Sequence, residues 1–314
     1  MAALVSRRVA RASSPMLTRA WGESSSSVYE LVDVTSIVDQ TILLGARRAS
    51  STSSSTASDE TSTSTVSSTV SSTPSSTPPS IVVFGGSGFV GSKVCEEAAS
   101  LGVKVTSVSR GGRPSFASSA DWASGVEWLR SDVSNDEGQW KEALNEATGV
   151  VSTLGAFGSN KHMYHVCGEL NIKLARAAKE AGVARFSFIS VHDFVFPGGW
   201  QTENFLLRGY FQGKRDTETE VAKLFGEDGV ALRPGFIYGD RHSGSMTIPL
   251  GMVGAPLEAM VSRLPKSLAS VPIVGCAFVP PVRVEAVAKA AVMSVLDKAV
   301  PGGPMDVWAI QSYA

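Results

Sequence analysis

The sequence lacks the features that mark several specialised classes of protein. It has only three cysteines, which lie too far apart for a metal-binding motif or a disulfide framework (Cys95, Cys167 and Cys276). Its 28 basic and 29 acidic residues nearly cancel, so no cationic excess indicates a nucleic-acid partner. No apolar run reaches the ~18–20 residues that a membrane-spanning helix requires. We therefore expect an ordinary globular protein without a bound metal or a transmembrane span.

The N-terminal region is basic and contains no acidic residue before Glu23. Its arginines, Arg7, Arg8, Arg11 and Arg19, alternate with apolar residues, serines and alanines, a pattern typical of a mitochondrial transit peptide. It has no central apolar core of the kind that a secretory signal contains. We expect residues 1–48 to be a transit peptide and presequence for the mitochondrion, with the plastid as the alternative destination and a disordered basic tail as the alternative structure.

Residues 49–80 consist almost entirely of serine and threonine and end with three prolines (Pro74, Pro78 and Pro79). Such a segment cannot bury enough apolar surface to offset the entropy that ordering would cost, so a flexible linker is predicted. The folded domain is expected to occupy residues 81–314, a length sufficient for one α/β domain with its own core.

The most informative stretch is an apolar strand that leads directly into a glycine-rich turn and a helix. The strand covers Ile81–Phe84, the turn carries glycine at 85, 88 and 91, and the apolar spacing predicts a helix from Ser92 to Leu101. A second strand is predicted at Val103–Val108, which completes a βαβ unit. A plain glycine turn is the alternative, but this context favours dinucleotide binding at the turn (Gly85, Ser87, Gly88, Phe89, Val90 and Gly91). The expected fold is α/β, a doubly wound parallel sheet of the Rossmann type.

The end of the second predicted strand indicates which dinucleotide binds. A site that prefers NAD places an acidic residue about twenty residues after the glycine turn, against the ribose 2′-hydroxyl. Here Ser109 and Arg110 stand at that point and Arg113 lies close in sequence. A hydroxyl and a guanidinium suit a 2′-phosphate, so NADP(H) is expected in preference to NAD(H). The alternative is that Arg110 is a solvated loop residue.

Further cofactor contacts are expected where the third and fourth strands end. Asp132 and Val133 follow the third strand, and Asp132 would either approach the adenine or cap the next helix. Thr153, Leu154 and Gly155 follow the fourth strand, where small residues leave room for the nicotinamide ribose. Asn171, within the long helix predicted from Lys161 to Ala181, is either a surface polar residue or an orienting group.

Three residues are candidates for chemistry. Tyr210 and Lys214 are four residues apart on a predicted helix and therefore share one of its faces. A nearby ammonium would lower the pKa of the phenol and let it exchange a proton with a carbonyl or alcohol while hydride moves at the nicotinamide. Ser190 ends the fifth predicted strand, at the edge where open α/β sheets bind ligands. A tyrosine and a lysine at this spacing also arise often by chance.

The segment around 240–281 is unusually apolar and rich in proline and glycine, and we expect it to form a small C-terminal substrate lid. The residues Leu257, Met260, Val261 and Leu264 predict a short amphipathic helix within it. Its apolar surface would be ordinary core, a site for an apolar substrate, or a surface for lipid or a partner protein.

Four motifs in this order resemble the short-chain dehydrogenase/reductase superfamily, most closely its extended and atypical branches. They are Phe84–Gly91, Tyr210-x3-Lys214, Leu232-Arg233-Pro234-Gly235-x2-Tyr238-Gly239 and Val282-x-Val284-Glu285-x-Val287-Ala288. The resemblance implies a proton donor at Tyr210, its activator at Lys214, which also contacts the cofactor, and a carbonyl-orienting hydroxyl at Ser190.

Within the superfamily, three segments are similar to mitochondrial atypical members associated with coenzyme Q synthesis and, more distantly, with respiratory complex I: Ser107–Arg110, Ser152–Gly155 and Gly209–Arg215. The resemblance implies a setting linked to ubiquinone. One hypothesis is an NADP(H)-dependent oxidoreductase for an apolar carbonyl, alcohol or quinone intermediate. The second is a non-catalytic, NADPH-bound subunit or assembly factor of an inner-membrane complex. A third is a sensor of the NADPH:NADP+ ratio.

Overall fold

The computed structural model describes residues 79–314, except residues 136–137, 197, 203–204, 244–245, 250 and 272–274. The predicted transit peptide and nearly all of the predicted linker lie outside the described residues.

Seven strands form one parallel sheet, and four short strands form two small additional pairs. In chain order the strands are β1 (Ser80–Phe84), β2 (Lys104–Ser109), β3 (Val126–Arg130), β4 (Gly149–Ser152), β5 (Arg185–Ile189), β6 (Gly229–Leu232), β7 (Ile237–Tyr238), β8 (Asp240–Ser243), β9 (Met246–Pro249), β10 (Val282–Arg283) and β11 (Gly303–Met305). The large sheet has the order β3-β2-β1-β4-β5-β6-β11, while β7 pairs with β10 and β8 with β9.

Helices connect the strands and cover both faces of the sheet. They are α1 (Phe89–Ser100), α2 (Gly138–Leu144), α3 (Asn160–Tyr164), α4 (Leu170–Glu180), α5 (Arg208–Phe225), α6 (Gly251–Val261), α7 (Val284–Leu296) and α8 (Val307–Gln311). A π-helical turn, His165–Glu169, joins α3 to α4. The predicted long helix is therefore present, with one irregular turn.

The core has two parts because successive side chains of a strand point to opposite faces of a sheet. Ile81 and Val83 of β1 pack on one side with α1 and α7. Val82 and Phe84 pack on the other side with α4 and α5. Both faces of β1 are buried, which explains why its sequence is apolar without alternation.

The strand order reverses between β1 and β4, and the carboxyl ends of these two strands form the crevice where open α/β sheets bind ligands. The predicted α/β doubly wound fold is confirmed. The sequence pattern does not predict β11 or the helix α8 that follows it, because Gly303-Pro304-Met305 has no apolar run of strand length.

Helix α5, which carries Tyr210 and Lys214, packs against the α3 region with almost no space between the backbones. A Cβ at Gly209 would overlap the carbonyl oxygen of Asn160. A Cβ at Gly213 would lie 2.7 Å from the backbone nitrogen of Gly168, in the π-helical turn. The glycines of α5 therefore set the position of the helix, although glycine lowers intrinsic helix stability.

Replacing Gly209 by alanine is expected to lower the free energy of unfolding by about 1–3 kcal/mol, because the added methyl group must displace backbone. Thermal unfolding followed by circular dichroism measures this. Gly125→Ala is the control, since nothing lies within 4 Å of its Cβ position. Equal melting temperatures for the two variants would contradict the close packing described here.

Candidate functional site

The glycine-rich turn between β1 and α1 is shaped by contacts that exclude side chains. Gly85 has a φ of +82°, and its N–H donates to the Val108 carbonyl at 2.8 Å. A Cβ at Gly91 would overlap the carbonyl oxygen of Gly85. A Cβ at Gly86 would overlap the hydroxyl of Ser107 on β2. Glycine is thus also required at position 86, which the spacing of the glycines at 85, 88 and 91 did not indicate.

The first turn of α1 is available to an anion. Its N-cap residue, Gly88, has no capping side chain, and no acidic residue lies in the first turn. The N–H groups of Phe89, Val90 and Gly91 have no acceptor within the helix, and the positive end of the helix dipole lies here. Together with the backbone cradle, this geometry fits a diphosphate.

The loop after β2 presents arginines at the adjacent edge. Ser109 is buried, and its hydroxyl donates to the Gly112 carbonyl at 3.2 Å. Arg110 is exposed, whereas Arg113 donates to the carbonyls of Ala117 and Ser118. Both side chains are exposed, but among the residues that the structure describes only the Arg113 guanidinium of the two donates hydrogen bonds.

Asp132 forms a local turn at the end of β3. Its carboxylate accepts from the N–H of Ser134 at 2.9 Å, and its carbonyl accepts from Asn135. Helix α2 is described from Gly138 onward, so this turn lies upstream of its described part. Val133 is buried in the core, and its carbonyl accepts from Lys173 at 2.9 Å.

Lys214 lies beneath the loop that follows β4. Its ammonium donates to the carbonyls of Leu154, at 3.0 Å, and Ile189, at 2.6 Å. It is 3% exposed, and burial lowers its pKa below the ordinary value. The ammonium lies 3.8 Å from the Cβ position of Gly155. Lys214 thus joins the ends of β4 and β5, and the described residues leave one of its three hydrogens available for a ligand.

Tyr210 lies against the same β4 loop. Its ring stacks on Phe157 with 5.1 Å between centroids and 17° between planes. Burial raises its pKa above the ordinary value, so the expectation that Lys214 lowers this pKa is wrong. The reason is that the ammonium of Lys214 is engaged by two backbone carbonyls, while the phenol is desolvated.

Ser190 belongs to an ion network rather than to an open site. It is 2% exposed, and its hydroxyl donates to Glu218 at 2.5 Å. The same carboxylate accepts from Arg215 and Arg233. Arg215 also donates to the carbonyls of Val191 and His192, so the network fixes the chain that leaves β5. The hydroxyl is therefore not directed at a substrate carbonyl.

Asn171 is fully buried and is an orienting group, the second of the two readings its sequence position allowed. Its side-chain oxygen accepts from Ser152 at 2.7 Å, at the end of β4. Its side-chain nitrogen donates to the carbonyls of Val166 and Cys167 in the π-helical turn. Asn171 thereby connects the irregular turn to the strand end beside Leu154.

The expected lid is only partly described. Helix α6 is held by Glu258, whose carboxylate contacts the hydroxyl of Tyr238 and accepts from Gln311. Of the predicted apolar stripe, Val261 is buried, but Met260 is 63% exposed. The predicted short helix is present as α6, although Leu264 lies beyond its end and is also exposed.

A family model described as NAD(P)H-binding matches residues 85–263, from the glycine turn into the lid segment. The chain belongs to this NAD(P)H-binding family.

Relatives of this NAD(P)H-binding protein occur in organelles. A chloroplastic protein of Arabidopsis thaliana is 42% identical over 220 residues, covering 69% of this chain and 71% of that protein. Mitochondrial protein fmp52-1 of Aspergillus terreus is 28% identical, covering 74% of this chain and 94% of that protein. MIOREX complex component 2 of Saccharomyces cerevisiae is 37% identical over 87 residues, covering 27% of this chain and 31% of that protein. The mitochondrial assignment, with the plastid as alternative, agrees with these names.

Solved structures show the same fold. A UDP-N-acetylglucosamine 4-epimerase from Methanobrevibacter ruminantium is 17% identical, with a TM-score of 0.52 over 73% of this chain and 76% of that one. Vestitone reductase from alfalfa is 19% identical, with a TM-score of 0.50 over 72% of this chain and 76% of that one. The recognition of a short-chain dehydrogenase/reductase-like domain is confirmed at the level of fold and NAD(P)H binding.

Membrane-spanning helices and metal clusters are both absent from the residues that the structure describes. No helix among them is both long and apolar enough to cross a membrane. No cluster of three or more potential metal-binding side chains occurs among them either.

Replacing Ser190 by alanine is expected to lower the free energy of unfolding by about 1–2 kcal/mol, because Glu218 loses a charge-assisted hydrogen bond. Nucleotide affinity should be unchanged. Ser187→Ala is the control, because Ser187 is equally buried on β5 and its hydroxyl has no hydrogen-bond partner within the described residues. Denaturant titration measures both effects. A Ser190 variant as stable as the Ser187 variant would contradict the network role.

Proposed function

We propose that the protein is an organellar NADP(H)-dependent oxidoreductase that reduces an apolar carbonyl or quinone-type substrate. The observation that carries this proposal is the convergence of Tyr210 and Lys214 on the loop after β4, at the carboxyl edge beside the glycine turn. We also propose that residues 1–48 target the protein to the mitochondrion, that 49–80 form a linker, and that 240–281 form the lid.

The residues fit a dinucleotide. The turn would hold the diphosphate, since glycine at 91 lets the first turn of α1 close against Gly85, and no capping side chain or acidic residue occupies that turn. Ser109 and Arg110 would face the adenosine ribose, where the absence of an acid and the presence of a guanidinium support NADP(H) over NAD(H). Asp132 and Val133 would border the adenine, and Thr153, Leu154 and Gly155 the nicotinamide ribose. The bound nicotinamide would supply the hydride.

Tyr210 would act as the proton donor. A phenol whose pKa burial raises stays protonated near neutral pH, as donation to a developing alkoxide or quinol oxygen requires. The reverse role, a phenolate that accepts a proton from an alcohol, is disfavoured by the same burial. Lys214 would orient the nicotinamide ribose with its remaining N–H, and Ser190 would stabilise the fold without contacting substrate.

Aromatic side chains around Tyr210 support an apolar ring-shaped substrate. Phe157 stacks on Tyr210 and is 44% exposed, so a flat aromatic surface reaches solvent at the site. The chain after β5 adds further rings that pack on Phe211, the neighbour of Tyr210 (Phe194, Phe196, Trp200 and Phe205). Quinone rings bind well to such surfaces.

The test is NADPH oxidation by the purified full chain with a panel of short-chain quinones and aromatic ketones. The proposal expects turnover of at least one of them with NADPH. Absence of turnover across the panel, together with tight NADPH binding, would favour the second candidate function.

That second candidate is an NADPH-bound, non-catalytic subunit or assembly factor of a mitochondrial membrane complex. The engagement of Ser190 by Glu218 favours it, because the residue expected to orient a carbonyl is unavailable. The yeast relative is named as a component of a complex, which gives the idea a precedent. Purification of the tagged chain from mitochondria tests it: a co-purifying complex that is lost when nucleotide binding is blocked supports it, and a monomer without partners contradicts it.

A further inference from the structure

We propose that Arg130, at the end of β3, is a second cation for the 2′-phosphate of NADP(H) and determines cofactor preference together with Arg110. The inference rests on the proposed function, since it concerns the same nucleotide site. Arg130 is twenty residues beyond Arg110 and belongs to none of the motifs in the sequence.

The backbone places Arg130 beside the loop that follows β2. Strands β2 and β3 pair in parallel, with Ser109 opposite Arg130. The Nε of Arg130 donates to the carbonyl oxygen of Arg110 at 3.1 Å. This hydrogen bond fixes the side chain toward the loop and uses only Nε. Within the described part of the chain, both terminal nitrogens of the guanidinium therefore remain to bind an anion.

The loop itself is closed and packed on Arg130. The N–H of Gly112 donates to the Ser109 carbonyl at 3.3 Å, and the Ser109 hydroxyl donates to the Gly112 carbonyl. Gly112 has a φ of +64°, and its Cβ position lies 3.5 Å from the Cβ of Arg130. Gly111 faces the glycine turn, with its Cβ position 3.9 Å from the hydroxyl of Ser87. Arg130, the loop and the glycine turn therefore border one space.

Arg110 and Arg130 keep their charge available, unlike the third arginine of the region. Both are exposed, and neither has a carboxylate partner among the residues that the structure describes. Arg113 instead donates hydrogen bonds from one terminal nitrogen to the carbonyls of Ala117 and Ser118, at 3.0 and 3.3 Å. Arg113 is nearer to Arg110 in the sequence, but the contacts favour Arg130 as the second cation.

A second guanidinium at this position has a clear physical consequence. A phosphate monoester carries up to two negative charges near neutral pH, and one arginine compensates only part of this charge. Two arginines, one from the loop after β2 and one from the end of β3, would hold the phosphate from two directions and disfavour an unphosphorylated ribose, which would leave both charges uncompensated.

The experiment is calorimetric titration of the full chain and its variants with NADPH and with NADH. Arg130→Ala is expected to weaken NADPH binding by about tenfold, which is about 1.4 kcal/mol, with NADH affinity changed by less than about twofold. Arg110→Ala should behave alike. Arg113→Ala, which also removes an exposed positive charge from the same loop, is the matched control and should change neither affinity by more than about twofold. Added salt should weaken NADPH binding less in Arg130→Ala than in the unaltered chain.

Different results would overturn this inference alone or overturn it together with the proposed NADP(H) preference. An equal loss of NADPH and NADH affinity in Arg130→Ala would mean that Arg130 merely supports the loop, and would overturn the inference. An unchanged NADPH affinity in Arg130→Ala, with a loss in Arg110→Ala, would overturn it while the NADP(H) preference stands. An unaltered chain that binds NADH as tightly as NADPH would overturn that preference and this inference together.

Discussion

Replacing Gly88 by glutamate is expected to weaken NADPH binding by more than about a hundredfold, which is about 2.7 kcal/mol. Gly88 is the N-cap of α1, where the diphosphate is proposed to bind, so a carboxylate there would compete with the ligand for the same N–H groups and repel it. The fold should survive, because Gly88 has a φ of −81°, which any residue adopts. Calorimetry measures the affinity, and circular dichroism checks the melting temperature.

Two controls isolate the cause of this loss. Gly88→Gln has nearly the same size without the charge, and should lose less affinity than Gly88→Glu. Gly125→Glu adds the same charge where nothing lies within 4 Å of the Cβ position, and should bind NADPH normally. Retention of wild-type affinity in Gly88→Glu would show that the diphosphate does not bind at the start of α1.

Replacing Tyr210 by phenylalanine is expected to reduce the rate of substrate reduction by about 10²–10⁴-fold, the range typical of a lost general acid. The ring and its stacking on Phe157 are kept, so NADPH affinity and the free energy of unfolding should change little. Steady-state NADPH oxidation with an accepted quinone or ketone measures the rate, and calorimetry shows that the nucleotide site is intact.

Tyr164→Phe is the matched control for this experiment. It removes a phenolic hydroxyl that bonds to Asp216 on the neighbouring helix α5, so it costs a hydrogen bond without touching the proposed chemistry. Its turnover should stay close to that of the unaltered protein. If Tyr210→Phe and Tyr164→Phe retain the same activity, Tyr210 is not the proton donor.

Local patterns were sufficient for the parts of the fold that depend on near neighbours. The apolar run Ile81–Phe84, the glycine turn and the helix behind it are all present at the predicted place. The long helix before β5 follows from its apolar stripe, which packs on β1 and β5 as the period requires. The α/β class and the dinucleotide site follow from this one βαβ unit, because its geometry is set by short-range sterics.

The features that the sequence did not predict depend on contacts between residues that are far apart in the chain. Ser190 bonds to Glu218, 28 residues away, and no local pattern predicts that partner. Gly86 is required because Ser107 of the next strand lies against it, and Gly209 because Asn160 does. Asn171 holds the π-helical turn through a hydrogen bond. The sequence does not predict this turn, because an ordinary α-helix would show the same apolar stripe. The pKa of Tyr210 likewise depends on burial, which the spacing of Tyr210 and Lys214 does not determine.

The most direct test of the central claim is a calorimetric titration of the full chain with NADPH, repeated with NADH. The account predicts one saturable site per chain that binds NADPH more tightly than NADH. Absence of binding heat with both nucleotides, from protein that circular dichroism shows to be folded, would contradict the claim that a pyridine nucleotide binds across the carboxyl edge of this sheet.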